Sequence, residues 1–126
     1  MFRLAIALIL VLTEGFFINI KAEESQVLSK ITFDLSTISE SGLIGTGTGV
    51  RSLAYEFCIP ANPETEKEVR SIDPSLKIYR HSPGRIRCQK TQYLCIGETH
   101  QPKWREKLLN LANLAYIEKI QQFHGE

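Results

Sequence analysis

Cys58, Cys88 and Cys95 are the residues of this chain best suited to covalent chemistry, with 29 and 6 residues between them. No C-x-x-C pair occurs, so the spacing of a dithiol redox site or a zinc knuckle is missing. A thiol nucleophile is the one catalytic reading these residues offer. Cys58 or Cys95 would attack, and the His100 imidazole would take the proton, if the two approach within about 3 Å. His81, His100 and His124 fall at loop or terminal positions, and with these spacings neither a metal nor a cofactor is expected. Glu56 and Glu98 form no hydrolytic pair, because nothing in their spacing sets a separation.

The second chemical feature is cationic. Lys77, Arg80, Arg85, Arg87 and Lys90 surround Ser82-Pro83-Gly84 with no acid among them. Residues 77–107 hold eight bases and two acids, whereas residues 23–73 hold nine acids and four bases. Arg80, Arg85 and Arg87, with Tyr93 as a stacking surface, are the candidate binding residues for an anionic ligand or an acidic protein. The segment lacks the aromatic signature of an RNA-binding sheet, so nucleic acid is not the expected partner. Gly45-Thr-Gly-Thr-Gly49 matches neither phosphate-binding glycine pattern and leads into a strand, which makes it a hinge.

Compartment follows from the first residues. Arg3 precedes nine consecutive apolar residues, Leu4–Leu12, in the pattern of a secretory signal peptide. Glu14 interrupts the run before Phe16-Phe17-Ile18, and a spanning helix needs roughly 20 apolar residues. Residues 1–22 are therefore expected to be a signal peptide, or a membrane anchor if the leader is retained, with membrane association through residues 1–20. The location is expected to be extracytoplasmic: secreted, periplasmic or lumenal. Such a compartment permits disulfides.

Residues 23–50 read as an N-terminal arm, with an edge-strand pattern at Ile31, Phe33 and Leu35 followed by a Gly/Ser-rich linker. The main domain, residues 51–126, opens on the clearest strand, where Leu53, Tyr55, Phe57 and Ile59 alternate with Ala54, Glu56 and Cys58. Asn62-Pro63-Glu64 starts a helix with a cap, a proline and an acid at its positive end. Asp73-Pro74 stops it. Leu76–Tyr79 reads as strand, and Arg85–Cys88 and Tyr93–Ile96 as two further strands joined in a basic hairpin. Pro102 begins a helix carrying Trp104, Leu108, Leu111 and Leu114 on one stripe, with Trp104 as its core anchor. Tyr116–Ile120 reads as a last strand.

The order β-α-β-β-α-β predicts an α+β fold, a ferredoxin-like sandwich with a four-stranded, mainly antiparallel sheet and both helices on one face. If Leu94 and Ile96 face the helices, Cys95 shares the other face with Cys58. The two are then the leading disulfide candidates, with Cys88–Cys95 as the local alternative. The leading functional expectation is a small exported binding or accessory domain, making protein contacts through the open sheet face or the basic hairpin. A thiol-dependent enzyme and a single-pass membrane accessory protein are the alternatives.

Overall fold

The computed structural model describes residues 24–125; the expected leader, residues 1–22, lies outside the described residues. The chain is a mixed α+β structure with two antiparallel sheets. After a helical stretch at 24–29 come β1 (Leu43–Ile44), β2 (Arg51–Ser52) and β3 (Ala54–Pro60). There follow α1 (Pro63–Ile72), β4 (Lys77–Tyr79), β5 (Gln92–Glu98), α2 (Trp104–Ala112) and β6 (Gln121–Gln122). β1 pairs with β2, and the larger sheet runs β4-β5-β3-β6.

β3 follows its alternation. Tyr55, Phe57 and Ile59 are buried and share one core with Val69 of α1 and with Leu108, Leu111 and Ala112 of α2. α1 forms where its start signals stand: the Asn62 side chain accepts from Thr65 N at 2.9 Å, and Glu64 and Glu66 occupy the first turn. α2 begins at Trp104 and not at Pro102, because Lys103 sits in the left-handed region (φ 57°). Its buried residues, Trp104, Leu108, Leu111 and Ala112, make the expected stripe. At its other end Lys30 Nζ donates to the carbonyls of Ala112 (2.9 Å) and Leu114 (3.1 Å), placing a cation on the negative end of the helix.

Three expected elements are corrected. Arg85–Cys88 is no strand, and no basic hairpin forms: residues 84–87 are a turn, with both Gly84 (φ 64°) and Arg87 (φ 65°) left-handed, a geometry no ladder accepts. β5 pairs with β4 instead, Lys77 opposite Ile96 and Tyr79 opposite Leu94. The last strand lies at Gln121–Gln122, later than Tyr116–Ile120, because the backbone is still turning after α2, with Leu114 N bonded to Leu111 O and Ile117 N to Leu114 O, both at 3.1 Å. The third correction is the phase of β5. Phe57 stands opposite Cys95 and Cys58 opposite Leu94, and residues directly opposite share a face. Tyr93 and Cys95 therefore face the helices, while Leu94 and Ile96 face away with Cys58 and Glu56.

The arm is sewn to the domain by its backbone. Ile31 bridges Ile120 in parallel, through Thr32 N to Ile120 O (3.0 Å) and Ile120 N to Lys30 O (2.9 Å). Ile31 and Ile38 are buried, and the Gly-rich residues 45–50 are the turn between β1 and β2. Trp104 Nε1 donates to the carbonyls of Ser39 (3.0 Å) and Glu40 (3.1 Å), so this core anchor also holds the arm. Buried Thr99 accepts from Leu53 N at its hydroxyl and donates that hydroxyl to Gly42 O at 2.7 Å. Gly42 (φ 82°) approaches so closely that a Cβ there would stand 1.7 Å from the Thr99 carbonyl oxygen.

Candidate functional site

The sheet face turned away from the helices carries the chemistry. From β4 it receives Lys77 and Tyr79, from β5 Leu94 and Ile96, and from β3 Glu56 and Cys58. Gln121 joins it opposite Glu56. β3 placed Glu56 and Cys58 here as its alternation predicts. What the alternation did not reveal is that residues 80–91 fold back across this face.

A disulfide between Cys58 and Cys88 fastens that loop, with a Cα–Cα distance of 5.6 Å. The expected Cys58–Cys95 bridge is thereby corrected, and so is the local Cys88–Cys95 alternative. The reason is the phase of β5, which turns Cys95 into the core on the opposite side of the sheet from Cys58. Cys88 was legible as a cysteine but not as the partner, since its assignment to a strand placed it wrongly. The turn seats on Leu94: a Cβ at Gly84 would stand 2.7 Å from Leu94 Cδ1, so only glycine lets the backbone lie so close. Leu94 is accordingly buried.

Between the loop and the chain after β6 a groove of about 670 Å³ stays open, lined by Tyr79, Pro83, Arg85, Leu94, Ile96 and Phe123 among others. Its floor is aliphatic, and Tyr79 on its edge is 42% exposed, one of the few large apolar side chains left in solvent. Beside it Glu56 is fully buried. One carboxyl oxygen accepts from Gln121 Nε2 at 2.9 Å, and the other has no hydrogen-bond partner among the described residues.

The candidate binding residues divide between two sides. Arg80 turns toward the helices, pairing with Glu66 of α1 at 3.0 Å and lying over the Tyr93 ring, 5.6 Å from its centroid. Arg80 and Tyr93 thus belong to the helix-side packing. Arg85 and Arg87 stay exposed on the loop. Neither they, nor Lys77, nor Lys90, makes an ion pair among the described residues. Of the five cations around the turn, only Arg80 is paired with an acid among the described residues.

The thiol–imidazole constellation is not assembled. Cys58 is half of the disulfide. Cys95 is fully buried, and burial pushes its thiol up to about 12, which suppresses the thiolate that would attack. His100 lies at the arm, with Nδ1 2.9 Å from the Ser41 carbonyl oxygen. Among the described residues no group of three His, Cys, Asp or Glu side chains could hold a metal ion, and no helix is long and apolar enough to cross a membrane. The disulfide is compatible with an extracytoplasmic location.

The chain matches no protein-family model, and neither the curated proteins nor the solved structures include one significantly similar to it.

Proposed function

We propose that this chain is a small exported binding module, built on a ferredoxin-like sandwich, that docks an acidic protein segment on the outer face of its sheet. The order β4-β5-β3-β6 with all neighbours antiparallel supports the fold, since it is the arrangement a split β-α-β pair produces. One observation carries the functional reading: a disulfide holds a loop of unpaired cations over an aliphatic groove. A disulfide restrains the loop before a partner arrives, so less ordering entropy opposes docking. Exposed Tyr79 supplies the amphipathic anchor such surfaces favour. Arg85, at the groove edge without an acid, supplies the charge that selects an acidic partner and speeds encounter.

The test is a resonance titration of the oxidised protein with two matched extended peptides. Both alternate apolar and charged residues, one with Glu and one with Lys. The Glu peptide is expected to shift Tyr79, Leu94, Ile96 and Phe123 saturably, and Arg85→Glu to abolish the effect. Equal response to the Lys peptide, or shifts confined to α1 and α2, would refute the docking face.

A further inference from the structure

On the other flank of the disulfide lies a second pocket, of about 520 Å³ and polar in character, and the loop that roofs the sheet supplies one of its walls. Arg87, Gln89 and Gln92 reach it from the loop and from the start of β5, while Tyr116, Glu118 and Lys119 reach it from the segment before β6. We propose that this pocket binds a tetrahedral oxyanion, a sulfate or phosphate group, between Arg87 and Lys119.

Four observations converge on that chemistry. Arg87 and Lys119 come from segments far apart in sequence, and neither is ion-paired among the described residues. Glu118 shares the pocket but lies outside salt-bridge distance of both, leaving two cations against one acid. Arg87 adopts φ 65° without being glycine, an unfavourable backbone state that the fold nevertheless enforces. It is held on both sides: its own N–H donates to Gly84 O, that of Cys88 donates to Pro83 O at 2.7 Å, and the Cys88 side chain is bonded to Cys58. Gln92 Oε1 accepts from Gln89 N at 2.9 Å, which leaves the two Nε2 protons of Gln92 without an acceptor among the described residues. Guanidinium, ammonium and amide donors thus line one pocket from different segments, more donors than the two oxygens of a single carboxylate would use and enough for the several oxygens of a tetrahedral group. Tyr116 takes no part as a donor, because its hydroxyl is already given to Glu68. The volume exceeds that of one ion, so the ion would be held with part of its water.

Cys58 itself lines the pocket. The disulfide thus holds one wall of the site, and linkage makes any dependence on it reciprocal: as far as reduction of Cys58–Cys88 weakens the oxyanion, a bound oxyanion disfavours reduction.

Sodium sulfate and sodium phosphate are the probes, titrated into the oxidised protein at ionic strength held constant with chloride. Arg87, Gln89, Gln92 and Lys119 resonances are expected to move along one saturating curve. Arg87→Gln and Lys119→Gln are each expected to weaken binding about tenfold, as loss of one charge-assisted contact does. Both side chains are exposed, so these variants keep the core. Glu118→Gln is expected to tighten binding several-fold, a gain that a purely structural role would not give. Arg85→Gln, which belongs to the docking groove, should leave the curve unchanged, so failure of this site and failure of the groove are separable. Linear shifts, equal shifts with chloride alone, or no gain from Glu118→Gln would overturn the proposal.

Discussion

Gly42→Ala should unpick the arm from the domain, and the structure sets its minimum cost. At φ 82° the left-handed conformation alone costs an alanine about 1–2 kcal/mol. The new Cβ would also stand 1.7 Å from the Thr99 carbonyl oxygen and 3.0 Å from His100 Cα. Both are backbone atoms, and Thr99 N is tied to Leu53 O at 2.9 Å, so no side-chain rotation relieves the overlap. Backing Gly42 away breaks the Thr99 hydroxyl bond to its carbonyl, worth about another 1 kcal/mol. The sum is a loss of at least about 2–3 kcal/mol. Gly47→Ala is the matched control: its φ is 61°, but nothing lies within 4 Å of the added Cβ, so only the conformational cost of about 1–2 kcal/mol remains. Urea unfolding followed by tryptophan emission reads both effects, since Trp104 is the one tryptophan and its indole N–H is held by Ser39 and Glu40. Gly42→Ala is expected to lower the midpoint and to red-shift emission before any urea is added. Gly47→Ala should keep the native emission. Equal losses for the two, or native emission in both, would refute the claim that the arm rests on the Thr99 contact.

Replacing both Cys58 and Cys88 with Ser should cost about 3.6 kcal/mol in equilibrium unfolding, the chain-entropy value for a separation of 30 residues. Amide exchange at Leu94 and Ile96 should rise with it, and an unchanged rate would mean that the loop stays seated without the bond. Cys95 should make stability fall at high pH: its thiol rises from 9.0 to about 12 on burial, so below pH 9 both states hold the proton. Between about 9 and 12 only the unfolded chain ionises, and stability should drop by roughly 1.4 kcal/mol per pH unit. Cys95→Ala should flatten that slope in denaturation series at pH 8 and pH 10; an unaltered slope would place the effect elsewhere. Lys30→Met should cost about 1–2 kcal/mol by removing the cation from the α2 carbonyls, and a neutral thermal shift would show that water replaces it.

β3 was legible in the sequence because one of its faces is packed by helices and the other carries Glu56 and Cys58, so period-two alternation survived. α1 was legible because its start is a local event: Asn62, Pro63 and the acids act within one turn. β5 carried no such signal. Tyr93, Leu94, Cys95 and Ile96 are apolar in succession because both faces of the strand are covered, one by helices and one by the disulfide-bound loop. Without alternation its phase was undetermined, and the cysteine pairing, which depends on that phase, went with it. The docking of the arm was hidden for another reason. Its Ser and Gly residues bind through backbone carbonyls, which Trp104, Thr99 and His100 read, and composition says nothing about where a carbonyl points. Arg85 and Arg87 were legible as cations, but that no acid among the described residues pairs with them, whereas Arg80 has Glu66, depended on tertiary placement.

The pairing of Ile31 with Ile120 has a consequence for the order in which the chain acquires structure during synthesis. The two residues are 89 positions apart, so at about 5–20 residues per second the arm waits roughly 4–18 s for its partner to be made. Thr99 and Trp104, which grip Gly42, Ser39 and Glu40, also arrive late. Through that interval the β3–α1–β4 segment can collapse on contacts close in sequence, while the arm stays unpaired. The serines and glycines of residues 36–49 then serve a kinetic end: that stretch, with little β-propensity and few apolar residues, is a poor template for association with neighbouring chains while it waits. Docking of the arm is thus a late event, and the burial of Trp104 against it should mark the last phase of folding on release of the complete chain.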